Sequence, residues 1–226
     1  MDIGVLGTGV VGQAIAGRLA ELGHDVMIGT RDPQATVSRA EPDRYGGPPF
    51  SVFHDERPEI GIGTFAEAAA HGELVVNATK GAASLEALTA AGPENLEGKV
   101  LLDVANPLDA SRGMPPSLFV SNTDSLAEQI QRAFPGARVV KSLNTMSASV
   151  MVNPQQLAEG DHSVFVSGDD AEAKATVTQL LRSFGWREVV DLGDLLTARG
   201  AEMYVAFWVR LFGVVQNPIF NVKVVR

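Results

Sequence analysis

The chain contains no cysteine. That excludes disulfides, thiolate catalysis and Cys-ligated zinc or iron–sulfur centres, and it fits a reducing cytosol. Positive charge is scarce as well: 18 Lys and Arg stand against 27 Asp and Glu, for a net charge of −9. Nucleic acids attract basic surfaces, so no nucleic-acid partner is expected. Long apolar runs are missing too. The most apolar late stretch, Met203 to Val215, is interrupted by Arg210 and is short for a bilayer span, so a packed helix is the better reading and no membrane contact is expected. The first strand begins at Asp2, which leaves no room for a signal peptide, and a cytoplasmic location is expected. Histidine is rare: His24, His54, His71 and His162 show no spacing such as His-x-x-x-His. All four read as surface or capping residues, and no metal site is expected.

What remains is a chain of 226 residues, 45% hydrophobic and 20% charged. That is enough for one substantial core with a small extension, and it is too apolar for a disordered protein. Asp2 to Gly7 reads as a buried strand. Helical spacing follows from about Gly9 to Leu22, with Val11, Ile15 and Leu19 four apart and Gly23 as a stop. Asp25 to Gly29 is the next strand, so the chain opens as a βαβ unit.

The stretch from Asp32 to Pro58, with Gly46-Gly47-Pro48-Pro49, reads as mostly loop, with a helical turn near Ala35 to Ala40. Alternation then resumes. Strands are expected at 60–64, 74–78, 100–104 and 138–142, with helices at 65–71, 84–91 and 125–134. That makes about six parallel strands in a doubly wound α/β sheet. Beyond Ser142 the pattern changes to a helical segment near 146–150, strands at 163–166 and 187–190, and helices at 171–184 and 195–212. A domain over 1–142 and a small C-terminal α/β lobe over 143–226 are expected.

Gly7-Thr8-Gly9-Val10-Val11-Gly12 matches G-x-G-x-x-G between a predicted strand and a predicted helix, the context of a Rossmann dinucleotide site. Gly7 permits the tight turn, Gly9 the close approach of a pyrophosphate, and Gly12 the packing of the helix. The N–H groups of Thr8 to Val11 then face the phosphates at the positive helix end. An NAD site places a carboxylate at the end of the second strand. Here that strand ends Gly29-Thr30-Arg31-Asp32-Pro33. A hydroxyl and a guanidinium at Thr30 and Arg31 suit the 2′-phosphate of NADP. Asp32 before Pro33 suits a turn or helix cap.

Ligands of open α/β sheets lie beyond the carboxyl ends of the strands. Those ends read Asn77-Ala78-Thr79-Lys80-Gly81, Asp103-Val104-Ala105-Asn106-Pro107-Leu108 and Ser142-Leu143-Asn144-Thr145-Met146-Ser147. All are small or polar, and none holds a His, Cys or Tyr. Carbonyl reduction usually needs a proton donor, whereas hydride transfer between two conjugated rings mainly needs positioning. Replacing Lys80, Lys141 or any histidine is therefore expected to leave turnover within about tenfold.

These residues resemble a known family. The Gly7 to Gly12 loop, Gly29-Thr30-Arg31, Asn106-Pro107-Leu108, Lys141-Ser-Leu-Asn-Thr145, Val166-Ser-Gly-Asp-Asp170 and Asp191-Leu-Gly193 fall in the order found in NADPH-dependent reductases of the 8-hydroxy-5-deazaflavin coenzyme F-420. The cytosolic NADPH domains of transmembrane ferric reductases are similar too. The resemblance covers nearly the whole chain. It implies a Rossmann domain with a small lobe and a cleft that seats the deazaflavin over the nicotinamide. It assigns NADP(H) to Gly7, Thr8, Gly9, Val10, Val11, Gly12, Thr30 and Arg31. Ala78, Thr79, Asn106 and Pro107 would lie near the nicotinamide, and Asn144, Thr145 and Met146 near the acceptor.

Three other readings stay open: an NADPH-dependent flavin or ferric reductase, the β-hydroxyacid or imine dehydrogenase clan, and a non-catalytic NADP-sensing module. The imine dehydrogenase clan usually carries a long all-helical C-terminal domain, which the strands beyond Ser142 do not match. A homodimer is expected, because the late helix is apolar on more than one face.

Overall fold

A computed structural model describes residues 1–41 and 48–226 of the chain. It opens with the βαβ unit: β1 (Asp2–Leu6), α1 (Val10–Glu21) and β2 (Asp25–Thr30). After Asp2 every residue of β1 is buried, as a central parallel strand covered on both faces must be. Asp32 then caps α2 (Pro33–Val37), accepting from the Ala35 N–H at 2.9 Å, with Pro33 in the first turn.

The expected loop from Asp32 to Pro58 needs correction, although Gly46 and Gly47 lie outside the described residues. It contains a further helix, α3 (Phe50–Glu56). Phe50 is 1% exposed, its ring lies 5.6 Å from that of Phe53, and Phe53 packs over Gly17 of α1. Proline, glycine and charge dominated the reading of this stretch and hid an i, i+3 apolar pair.

Alternation continues with β3 (Gly61–Thr64), α4 (Phe65–His71), β4 (Leu74–Asn77), α5 (Ser84–Ala91) and β5 (Val100–Asp103). A short antiparallel pair follows, β6 (Leu108–Asp109) with β7 (Ser117–Leu118), then α6 (Leu126–Ala133) and β8 (Arg138–Ser142). The start of α4 is fixed locally: Thr64 and Glu67 cap each other in a reciprocal box. The chain ends with α7 (Ala148–Val152), β9 (Ser163–Ser167), α8 (Ala171–Phe184), β10 (Glu188–Asp191) and α9 (Ala198–Val215).

The main sheet runs β10-β9-β8-β5-β4-β1-β2-β3. The six strands from β8 to β3 are parallel, as expected. β9 is antiparallel to β8 and joined to it by only two residue pairs, Lys141 with Ser167 and Ser142 with Val166; β10 then runs parallel to β9. The strands beyond Ser142 thus extend the same sheet. Each face carries its own apolar layer. Successive residues alternate between them: Val76 and Leu102 pack with α1, α3, α7 and α8, and Val75 and Leu101 with α4, α5 and α6.

Only the first turns of α9 are buried, at Ala198, Ala201, Glu202 and Val205. Farther along, Phe207 is 57% and Val214 83% exposed, while Trp208 stacks between Phe212 and Phe220. The tail then returns to β9, where the Ser163 N–H donates to the Val222 carbonyl at 2.9 Å. This contact explains an error about His162. It is buried, with Nε2 2.9 Å from the Pro154 carbonyl and Nδ1 2.8 Å from Asn221 Nδ2. His54 lies on α3 rather than in a loop. Among the described residues no helix is long and apolar enough to cross a membrane.

Candidate cofactor and acceptor site

The glycine loop joins β1 to α1. Gly7 has φ 118°, and its N–H donates to the Gly29 carbonyl at 3.0 Å, which sets the loop beside the end of β2. A Cβ on Gly12 would stand 2.0 Å from the Gly7 carbonyl oxygen, so only glycine allows the helix to start this close to the turn. Gly9 stands at the N-cap of α1 and offers no side-chain cap, and the first turn holds no acidic residue. Its first N–H groups and positive dipole end are therefore left for an anion. Val10 is exposed at this end and Val11 half-buried.

Beside the loop, Arg31 is exposed. Thr30 is not equivalent to it: it is 7% exposed, and its hydroxyl is paired with that of Thr36 at 2.9 Å, bracing β2 against α2.

The ends of β4, β5 and β8 form one buried polar network. Asn77 donates from Nδ2 to Ser84 Oγ and Asp103 Oδ1, at 3.1 and 2.8 Å, and accepts from the Thr79 hydroxyl at 2.6 Å. Thr79 is thereby turned toward the sheet, while Ala78 is half-buried and Lys80 exposed. Lys141 is completely buried, with Nζ 2.7 Å from Asp103 Oδ2 and 2.9 Å from Glu202 Oε1, and it also donates to the Ala105 carbonyl. Burial opposes its charge, but attraction to Asp103 and Glu202 outweighs this and raises its pKa. Through the Ala105 carbonyl, Lys141 fixes the turn that carries Asn106 and Pro107. Glu202 reaches this network from α9 and also accepts the Leu126 and Ala127 N–H groups at 2.8 and 3.1 Å, capping α6.

Asn106 is half-buried and Pro107 buried. Asn106 pairs reciprocally with Asn144, whose Nδ2 also donates to the Ala201 carbonyl at 3.0 Å. Asn144 follows Leu143, a buried residue held at φ 62°. A left-handed leucine stores backbone strain that the surrounding contacts must hold. Asn144, Thr145 and Met146 are only 2%, 2% and 6% exposed. Thr145 Oγ1 is buried with no hydrogen-bond partner among the described residues, the kind of atom that a bound polar group satisfies.

The other segments of the resemblance are structural. Asp169 accepts from the Leu195 N–H at 2.9 Å, Asp170 caps α8, and Asp191 accepts from the Gly193 N–H at 2.8 Å. Asp169 and Asp191 thus shape the approach to α9, and Asp170 the start of α8. Three further residues carry little or no signal in the sequence. Arg39 reaches Thr8 from beyond α2. Glu202 gives only the weak signal of one acid in an apolar helix. Tyr204, one turn after Ala201, has a hydroxyl that is buried without a partner among the described residues.

The profile of the family described as NADP oxidoreductase, coenzyme F420-dependent, matches residues 2–107. A solved structure from Arthrobacter sp. FB24, provisionally described as an F420-dependent NADP reductase, is 61% identical. The match covers all of both chains, with a TM-score of 0.96. The F420-dependent NADP reductase of Methanothermobacter marburgensis is 28% identical over 98% of this chain and 96% of its own length. Metalloreductase STEAP3 of Rattus norvegicus is 29% identical over 88% of this chain, which spans only 35% of that longer protein. With a full-length relative at 61% identity, the chain belongs to the F420-dependent NADP oxidoreductase family.

Proposed function

We propose that the protein transfers a hydride between NADP(H) and the deazaflavin coenzyme F-420. In the direction of deazaflavin reduction, NADPH supplies the hydride and becomes NADP+, and the deazaflavin gains that hydride and a proton from solvent. The observation that carries the proposal is the uncapped, acid-free start of α1 set beside the exposed Arg31. That arrangement fits a pyrophosphate followed by a 2′-phosphate.

In this reading Thr8, Gly9, Val10 and Val11 hold the pyrophosphate through backbone N–H groups, and Arg31 holds the 2′-phosphate. Thr30 acts by bracing rather than by direct contact. Ala78, Thr79, Asn106 and Pro107 form the floor for the nicotinamide. On the acceptor side, Asn144 and Met146 shape the wall from beneath, and the Thr145 hydroxyl, without a partner among the described residues, is the group suited to bond the acceptor. Residues 1–142 act as the cofactor domain, and 143–226 complete the cleft. The exposed apolar part of α9 is the proposed homodimer contact. A cytoplasmic location is part of this reading, and cell fractionation tests it.

A second reading, a flavin or ferric reductase, is favoured by the similarity to the metalloreductase. The test follows deazaflavin absorbance with NADPH, beside parallel assays with a free flavin and a ferric chelate. Deazaflavin turnover is expected. Turnover only with the flavin or ferric chelate transfers the function to the second reading. Tight NADPH binding without turnover on any acceptor makes the protein an NADP sensor.

A further inference from the structure

We propose that Arg39 is a second residue selecting NADP(H) over NAD(H), binding the 2′-phosphate from the far side of α2. The proposal rests on NADP(H) being the cofactor. Arg39 Nη2 lies 3.3 Å from both the carbonyl oxygen and the hydroxyl of Thr8. Thr8 follows Gly7, whose N–H donates to Gly29, so Thr8 stands next to Thr30 and Arg31 at the end of β2. The Arg39 guanidinium is thus brought to the phosphate loop, which the Gly7–Gly29 hydrogen bond ties to the end of β2, where Arg31 follows Thr30.

Its placement is supported from below and behind. The guanidinium carbon lies 5.5 Å from the centroid of the Phe50 ring, and Phe50 is itself 1% exposed and held by the core. Stacking on an aromatic face leaves the donor edge of the guanidinium plane pointing outward. The backbone is held as well: the Arg39 N–H donates to the Thr36 carbonyl at 3.1 Å, and the Ser51 N–H to the Arg39 carbonyl at 3.3 Å. A guanidinium carries about five N–H donors in a planar fork, and among the described residues its two contacts to Thr8 both use Nη2. A phosphate dianion between Arg31 and Arg39 would be met from two sides. The intervening acid, Asp32, is committed to capping α2.

The test uses full-length Arg39→Ala and Arg39→Lys, with calorimetric titration of NADP+, NAD+, adenosine 2′,5′-bisphosphate and AMP at one salt concentration. Arg39 is exposed, so both variants should fold, and thermal melting checks this. Arg39→Ala is expected to weaken NADP+ and the bisphosphate by roughly ten- to a hundredfold, the range of a lost charge-assisted contact. NAD+ and AMP should change by less than about twofold, because they lack the phosphate. Arg39→Lys should restore part of the loss as a point charge without the fork. Equal weakening of NADP+ and NAD+ would show that Arg39 only shapes the loop, and overturns the proposal. So does an Arg39→Ala protein that keeps the full NADP+ preference of the wild type. A wild type without that preference removes the NADP reading itself, and this proposal with it.

Discussion

Asn106 and Asn144 hold each other across the ends of β5 and β8. Asn106 Nδ2 donates to the Asn144 carbonyl at 2.8 Å, and Asn144 Nδ2 donates to Asn106 Oδ1 at 2.9 Å. The residue proposed for the nicotinamide side is thereby aligned by the one proposed for the acceptor side. Asn144→Asp would put a buried carboxylate against two acceptors, Asn106 Oδ1 and the Ala201 carbonyl. A loss of about 1–3 kcal/mol in urea unfolding at pH 7 is expected. Burial against acceptors raises the folded-state pKa of the new acid, so the variant should regain stability as pH falls. A variant equally unstable at pH 5 and pH 7 contradicts this account.

Lys141 behaves differently from what its position at a strand end suggests. Lys141→Met leaves Asp103 and Glu202 buried without their shared cation. Breaking such a pair typically costs about 3–5 kcal/mol. The expectation that turnover would stay within tenfold is therefore withdrawn for Lys141. The pKa of this lysine is raised in the folded state. Its contribution is thus fully present at neutral pH and is lost only as pH rises through that raised value. Denaturant midpoints at pH 7 and in strong alkali check this: above pH 7, the gap between wild type and variant should shrink only as the lysine loses its proton.

Arg31→Ala should weaken NADPH far more than NADH, since only NADPH offers the phosphate. Roughly two to three kcal/mol, a factor of roughly thirty to a hundred, is typical of such a contact. Equal binding of the two cofactors by the wild type would remove the assignment.

Much of this architecture was legible because local signals agreed. The Thr64 and Glu67 box, the Asp170 cap and Gly185 at φ 106° mark helix ends within the chain itself. The glycine loop was legible because its chemistry is carried by backbone at fixed spacing. Burial was not legible. Thr30, Lys141 and His162 look like surface groups in one dimension, yet each is turned inward by a partner from another element. Arg39 and Glu202 were hidden for the same reason: their partners at Thr8 and Lys141 are 31 and 61 positions away.

The outer half of α9 gives a prediction about assembly. Phe207 and Val214 are 57% and 83% exposed, and apolar surface of this kind usually marks a contact. Light scattering at micromolar concentration should give a dimer for the wild type and a monomer for the Phe207→Asp, Val214→Glu double variant. A monomeric wild type excludes the contact.

The last prediction concerns the chemical step, which we expect to proceed by stacking a planar acceptor on the nicotinamide without an essential side-chain acid or base. Lys80 is exposed beyond β4, and His24, His54 and His71 lie on or beside α1, α3 and α4. Replacing any of these four should leave turnover within about tenfold, or about 1.4 kcal/mol of barrier. Lys141 and His162 are buried structural groups and cannot serve as controls. One further group must be included. The Tyr204 hydroxyl is buried without a partner among the described residues, and burial raises its pKa, so it keeps its proton at neutral pH. Tyr204→Phe separates the two mechanisms directly. Under stacking alone it should cost less than tenfold, whereas Ala78→Leu, which fills the floor of the site, should cost much more by disturbing alignment. The assay is deazaflavin absorbance under saturating NADPH, with the binding of both ligands measured separately. A Tyr204→Phe enzyme that binds both ligands normally but loses several orders of magnitude in turnover would replace stacking with proton donation from α9.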